Sequence, residues 1–186
     1  MPLDATVLAA LLQSCAANVA PATMTAIIQV ESEGDPYRIG VNSGGSLQRQ
    51  PANGADASAT ARGLLRKGAN FDAGLMQINS ANFARLGVTA ETVFDPCTNL
   101  RAGAALLADN YNRARVAGHA DPLRAALSEY NTGSRAKGLF NGYVRKVYAA
   151  ATGRTSAVRP AVVQLSYGSV SPDTVGNLLL SAFGGR

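Results

Sequence analysis

Histidine, cysteine and tryptophan are nearly missing from this chain, and the scarcity removes whole classes of chemistry. One histidine and two cysteines stand among 186 residues, with no tryptophan. A zinc centre built from His and Cys ligands cannot be assembled from that stock. A serine or cysteine nucleophile would have to draw its base from His119, which lies in Ala-Gly-His-Ala-Asp-Pro, the composition of a surface loop. No pattern in the chain asks for a cofactor or a metal. The formal net charge is +5, yet it is spread from Arg38 to Arg186 without a long basic run. Nucleic-acid binding needs a focused basic stripe with aromatics, so that partner is excluded. A diffuse positive field suits an anionic polymer, cell-wall glycan included. No apolar run reaches the length of a membrane span. Met1-Pro2-Leu3-Asp4 has no base, so no secretory signal is read there.

What is present is ordinary globular material, 47% hydrophobic and 16% charged, enough for one domain with a core. Asp4 caps a first helix with Val7, Leu8, Leu11, Leu12 and Cys15 facing inward. Pro21 opens a second, running to Glu33 and stopped by Gly34-Asp35-Pro36. Tyr37–Val41 and Ser46–Gln50, joined by Asn42-Ser43-Gly44-Gly45, read as a β-hairpin. Further helices are expected over Ala55–Lys67, from Ser80 to Gly87, from Thr89 to Phe94, over Asn99–Ala117, over Pro122–Tyr130 and over Leu139–Ala151. In the longest, Leu100, Gly103, Leu106, Leu107 and Tyr111 face inward. Asn70–Asn79 is too glycine-interrupted for a helix and reads as an irregular strand or turn. The expected fold is mainly α with a small β-hairpin, its helices set around a cleft. Residues 1–153 form this domain. Residues 154–186, with scattered Ser, Pro and Gly, read as a C-terminal extension that is flexible or binds a partner.

Two readings of the cysteines stay open. Cys15 and Cys97 are either small buried hydrophobes or a disulfide, which would close a loop of about 80 residues and stabilise the fold by roughly 4–5 kcal/mol. The disulfide requires an oxidising compartment.

Glu31 stands out. It follows Met24, Ile27 and Ile28 at the spacing of one helix face, where a core residue is expected. An acid held there is partly desolvated, and desolvation raises its pKa toward neutrality. A carboxylic acid still protonated near pH 7 can donate to a leaving group, as in glycosidic bond cleavage.

Three segments in order, Glu31-Ser32, Gly74-Leu75-Met76-Gln77 and Tyr130-Asn131, resemble the soluble lytic transglycosylase family, related in fold to goose-type lysozyme. The likeness runs from about residue 14 to 150. Cys15-Ala-Ala-Asn-Val-Ala-Pro21, Gly40-Val41-Asn42, Asn70-Phe71-Asp72, Gln77-Ile78-Asn79, Asn82-Phe83, Asp95-Pro96-Cys97-Thr98-Asn99-Leu100 and Tyr130-Asn131-Thr132-Gly133 are similar to the peptidoglycan-cleaving component of type IV secretion and conjugation systems. The resemblance implies a lysozyme-like fold, peptidoglycan strands as substrate, secretion-system components as partners and a periplasmic location.

It also implies roles. Glu31 would protonate the bridging oxygen and then, as a base, direct the muramic acid's own hydroxyl to close a 1,6-anhydro ring. Ser32 and Gln77 would bind sugar substituents or cap backbone. Leu75 and Met76 would floor the site or fill the core. Tyr130 would hold Glu31 by its hydroxyl or line the cleft, and Asn131 would contact acetamido groups. Glu129 replaces a residue that is usually small in the family; it would raise the pKa of Glu31 or face solvent. Pro36–Ala55 contains no acid to serve as a second carboxylate, so a lone-acid mechanism is expected. A water-using muramidase and a peptidoglycan-binding assembly factor are the competing readings.

Overall fold

A computed structural model of the chain describes residues 1–42 and 45–153. The expected turn at Ser43-Gly44 and the whole 154–186 extension lie outside the described residues. Eight α-helices and a three-stranded antiparallel sheet make up the described part: α1 Ala5–Cys15, α2 Pro21–Glu31, β1 Ile39–Val41, α3 Gly54–Arg66, β2 Phe71–Ala73, β3 Ile78–Asn79, α4 Phe83–Leu86, α5 Pro96–Val116, α6 Pro122–Thr132, α7 Lys137–Phe140 and α8 Tyr143–Ala151. None of these helices is long and apolar enough to cross a membrane.

The local signals for most boundaries are physical and visible. Asp4 accepts from Thr6 N–H at 2.8 Å and caps α1. Pro residues occupy the first turn of α2, α5 and α6, where their missing N–H costs nothing. Asp95 and Asp121 accept from Thr98 and Arg124 N–H at the starts of α5 and α6. α5 is the central rod. It packs on α6 and α1, while α2 packs on α8. Met24, Ile27, Ile28, Leu75, Met76, Leu100, Leu107 and Leu127 are almost fully buried between them.

Cys15 at the end of α1 is bonded to Cys97 in the first turn of α5, with Cα atoms 5.3 Å apart. The bridge spans 82 residues of sequence, which on the chain-entropy account contributes about 4.5 kcal/mol.

The structure corrects several expectations. Tyr37–Val41 does not pair with Ser46–Gln50. β1 pairs instead with β2, with Ile39 opposite Ala73 and Val41 opposite Phe71, and β2 continues to β3. The reason lies in one side chain: the Gln50 amide accepts from Ile39 N–H and donates to Ile39 C=O, both at 2.9 Å, and so occupies the edge a strand would have taken. α2 ends at Glu31 rather than Glu33, because Glu33 and Gly34 turn to φ +55° and +84°. The Thr89 segment is a single turn closed by Val93 N–H to Thr89 C=O, with no helix. The long helix starts at Pro96, not Asn99. Leu139–Ala151 is two helices, α7 and α8, separated by Gly142 at φ +83°. Val7 points outward, 49% exposed, because only a narrow stripe of α1 meets the core. Leu106 is partly exposed on the cleft rather than inward.

Replacing both Cys15 and Cys97 by serine should lower stability by about 2–5 kcal/mol. Denaturant melts of the variant and the oxidised parent check this; overlapping curves would contradict it.

Candidate active site

The site is built around a buried turn. Gly74 sits at φ +78°, and a Cβ there would lie 2.3 Å from the Asn99 side-chain nitrogen, so only glycine fits. Asn99, 1% exposed at the base of α5, donates to Ala73 C=O at 3.0 Å and Val93 C=O at 2.8 Å, and accepts from Met76 N–H at 2.8 Å. Ser32, just past α2, donates to Leu75 C=O at 2.8 Å and accepts from Gly34 N–H at 3.2 Å. Tyr130 Oη donates to Met76 C=O at 2.7 Å. The turn is thereby held from the ends of α2, α5 and α6.

A cleft of about 460 Å³ opens beside this turn, lined by Glu31, Asp72, Gln77, Tyr130 and Asn131 among others. A smaller lobe of about 240 Å³ adjoins it, lined by Val30, Glu31, Asn131, Asn141, Tyr143 and Lys146. Glu31 and Asn131 belong to both. Glu31 therefore stands where the two lobes meet.

Glu31 Oε1 accepts from Tyr143 Oη at 2.6 Å. Burial pushes its pKa from an ordinary 4.5 up to about 7; the Tyr143 bond works against that, and the charge on Asp72 adds to it. Tyr143 is itself held protonated, by burial and then by Glu31, so it acts only as a donor.

Asp72 is the second carboxylate. Its two oxygens accept from Asn79 Nδ2 and Asn42 Nδ2, each at 2.8 Å, and Asn70 joins both amides. Burial raises its pKa, and the two asparagine bonds oppose the rise. The cleft thus holds a second acid that the sequence reading did not place there. Pro36–Ala55 lacks an acid, but the sheet is completed by Phe71–Ala73, and that strand brings Asp72 into the cleft.

The expected site residues separate by burial. Gln77, Tyr130 and Asn131 line the cleft. Gln77 adopts φ +46°, and its amide nitrogen donates to Arg38 C=O at 3.1 Å and Gly74 C=O at 2.9 Å. Asn131 accepts from Asn141 Nδ2 at 2.9 Å. Ser32, Leu75 and Met76 are 1%, 0% and 0% exposed. Of the two readings for each, sugar contact is corrected to the other: Ser32 caps backbone and Leu75 and Met76 fill the core under the site. Tyr130 does not hold Glu31, because its hydroxyl is taken by Met76. That task falls to Tyr143. Glu129 stands part-exposed on the cleft wall and is not among the groups that raise Glu31. It bridges Arg113 at 3.2 Å and Arg135 at 3.1 Å.

The sequence reading missed Tyr143 and Asp72. Both lie in segments it had marked, the last helix and Asn70-Phe71-Asp72, but nothing local shows that they meet Glu31.

An acid shared by two adjoining lobes, with a second carboxylate in the same cleft and a helical domain carrying a small sheet, fits a lysozyme-like glycan-cleaving fold. The chain belongs to the transglycosylase SLT domain family, whose model matches residues 10–150. It is 44% identical over 162 residues to the type IV secretion system protein virB1 of Brucella suis biovar 1, covering 82% of this chain and 68% of that protein. It is 43% identical over 140 residues to protein virB1 of Agrobacterium fabrum, covering 75% of this chain and 57% of that protein. A virB1 of Rhizobium radiobacter is 37% identical over 153 residues, covering 82% of this chain and 62% of its own length. No solved structure matches it significantly.

Two measurements follow from Glu31. Its pKa is raised on folding, so the native state holds a proton that the unfolded chain releases between pH 4.5 and about 7. Stability falls through that window as pH rises. Glu31→Gln should therefore be more stable than the parent at pH 8, by about 1–3 kcal/mol, and the gap should close near pH 4. Equal melts at pH 8 would contradict this. Tyr143→Phe removes the bond that favours the charged acid, so the alkaline limb of any activity profile should move to higher pH, with kcat reduced about tenfold. A profile with an unmoved limb would contradict the assignment.

Proposed function

We propose that the chain is a peptidoglycan lytic transglycosylase, with Glu31 as the sole proton-transfer group. The observation that carries this is the placement of Glu31 at the meeting of the two lobes, dry enough to hold its proton near neutral pH. A glycan strand crossing both lobes presents its scissile oxygen to that carboxyl. Glu31 protonates the oxygen bridging N-acetylmuramic acid to N-acetylglucosamine, and the C–O bond to the anomeric carbon breaks. Asp72, in the same cleft, stabilises the positive charge that develops there. The ionised Glu31 then takes the proton from the muramic acid primary hydroxyl. That oxygen bonds to the anomeric carbon and closes a 1,6-anhydro ring, consuming no water. A group that serves first as acid and then as base works best with a pKa near ambient pH.

Asp72 also favours a second reading. Two carboxylates in one cleft are the usual equipment of hydrolytic glycosidases. In that case water, not the muramic hydroxyl, would attack. The transglycosylase reading is preferred because family membership and the relatives' likeness support it.

The virB1 relatives support a place for the enzyme in the periplasm, opening the wall locally for a type IV secretion or conjugation apparatus. Partners there would include that apparatus; neither nucleic acid nor a membrane span is part of the proposal.

Digested sacculi separate the two chemistries. Mass spectrometry should find 1,6-anhydro-muropeptides, and products with reducing ends would establish hydrolysis instead. Glu31→Gln should lower turnover by about 10²–10⁴-fold with the fold intact by circular dichroism. Full activity in that variant would end the proposal.

A further inference from the structure

The smaller lobe has a feature that acid–base chemistry does not use. Lys146 lines it beside Glu31 and Tyr143. Lys146 and Tyr143 are three residues apart on α8, so they share a helix face. Tyr143 is fixed on Glu31, and Lys146 is therefore set over the same lobe. Among the described residues it forms no salt bridge. The remaining polar lining is neutral: the Tyr143 phenol and the Asn131 and Asn141 amides, which bond to each other.

The larger lobe is built differently. Its cations, Arg85 and Arg113, are already engaged. Arg85 pairs with Asp109 at 3.2 Å, and Arg113 pairs with Asp109 at 2.9 Å and with Glu129 at 3.2 Å. That lobe also carries Asp72 and Glu129. An anionic substituent would meet Asp72 and arginines already committed to Asp109 and Glu129 on that side, and an ammonium with no salt bridge on the other. The acid both lobes share, Glu31, is largely uncharged below about pH 7 and repels an anion little.

We propose that the smaller lobe is a carboxylate-reading subsite, in which Lys146 binds an anionic group carried by the sugar on that side of the scissile bond. This rests on the glycan-cleaving reading above and names the substituent recognised. On a peptidoglycan strand the carboxylate has two sources: the stem peptide, or the lactyl group left when the peptide is removed. Such a contact would also fix which sugar lies on which side of Glu31.

The test compares Lys146→Ala and Lys146→Glu with the parent on stem-bearing strands and on strands stripped of peptide. Uncharged oligomers of N-acetylglucosamine serve as a third arm. KM on at least one carboxylate-bearing substrate should rise about three- to tenfold for the alanine variant and further for the glutamate, with kcat nearly unchanged. The rise should shrink at high salt. Affinity for the uncharged oligomer should stay as in the parent. An effect confined to stem-bearing strands identifies the peptide as source; an equal effect on stripped strands identifies the lactyl group. An unchanged KM on both, or an equal rise on the uncharged oligomer, overturns the proposal. Calorimetric titration of Glu31→Gln protein, with and without the Lys146 change, against a soluble muramyl peptide reads the same contact without turnover. An inactive parent that still loses binding with Lys146 would therefore count against the catalytic reading alone.

Discussion

A turn buried away from water must find a partner for each N–H and C=O, and the segment around Gly74–Gln77 finds them on side chains from separate helices. Asn99 supplies two bonds from the start of α5, Ser32 one from the end of α2, and Tyr130 one from α6. Each of these groups is bonded to backbone rather than to another side chain, so none can slide without leaving a buried polar atom unpaired, at roughly 1–3 kcal/mol each. The turn then fixes the elements around it. Glu31 immediately precedes Ser32, and Asp72 lies two residues before Gly74. The separation of the two carboxylates is thus set by short, rigid stretches of chain rather than by long side chains or loops.

The two acids receive unequal treatment. Asp72 is bonded by two amide nitrogens, and Asn70 locks those amides in place, so its ionised form is supported from both oxygens. Glu31 has one phenol on one oxygen; at both acids burial outweighs the hydrogen bonds and raises the pKa. Burial raises both carboxyl groups, but Asp72 has the more extensive set of opposing hydrogen bonds. Repulsion from Asp72 raises the Glu31 pKa further, so the acid that must keep its proton is helped by the one better equipped to lose it.

Much of this was legible from local pattern, and what was not has a common cause. Asp4, Pro21 and Pro122 marked helix ends by effects confined to one turn of chain. Glu31 was legible because Met24, Ile27 and Ile28 already define the buried face. Tyr143, by contrast, reaches Glu31 across 112 residues, and no periodicity in α8 distinguishes a phenol that meets an acid from one that fills a core. The hairpin was misread for a related reason: Gln50 satisfies Ile39 with its side-chain amide, which no strand propensity encodes. That error hid Asp72, because the search for a second acid followed the wrong strand. Ser32, Leu75 and Met76 were found by motif, which left open whether they touch substrate or cap backbone and fill the core. Their burial shows that a motif can mark the frame of a site as readily as its surface.

Glu129 illustrates how a departure from a family pattern is absorbed. An acid introduced at the edge of a cleft that already contains Glu31 and Asp72 would add a third negative charge near the reacting bond. Here it is drawn aside by Arg113 and Arg135, and Arg113 is in turn tied to Asp109 and Asn110. Three arginines, Arg85 included, thus share two carboxylates along one wall, so every arginine there is paired although the group keeps a small positive excess. Partly exposed pairs of this kind add little stability individually; their consequence is electrostatic, since they leave the larger lobe without a free cation. The polarity of the cleft then depends partly on residues outside the motifs, with Asp72 on the sheet and the ammonium of Lys146, which forms no salt bridge among the described residues, on α8.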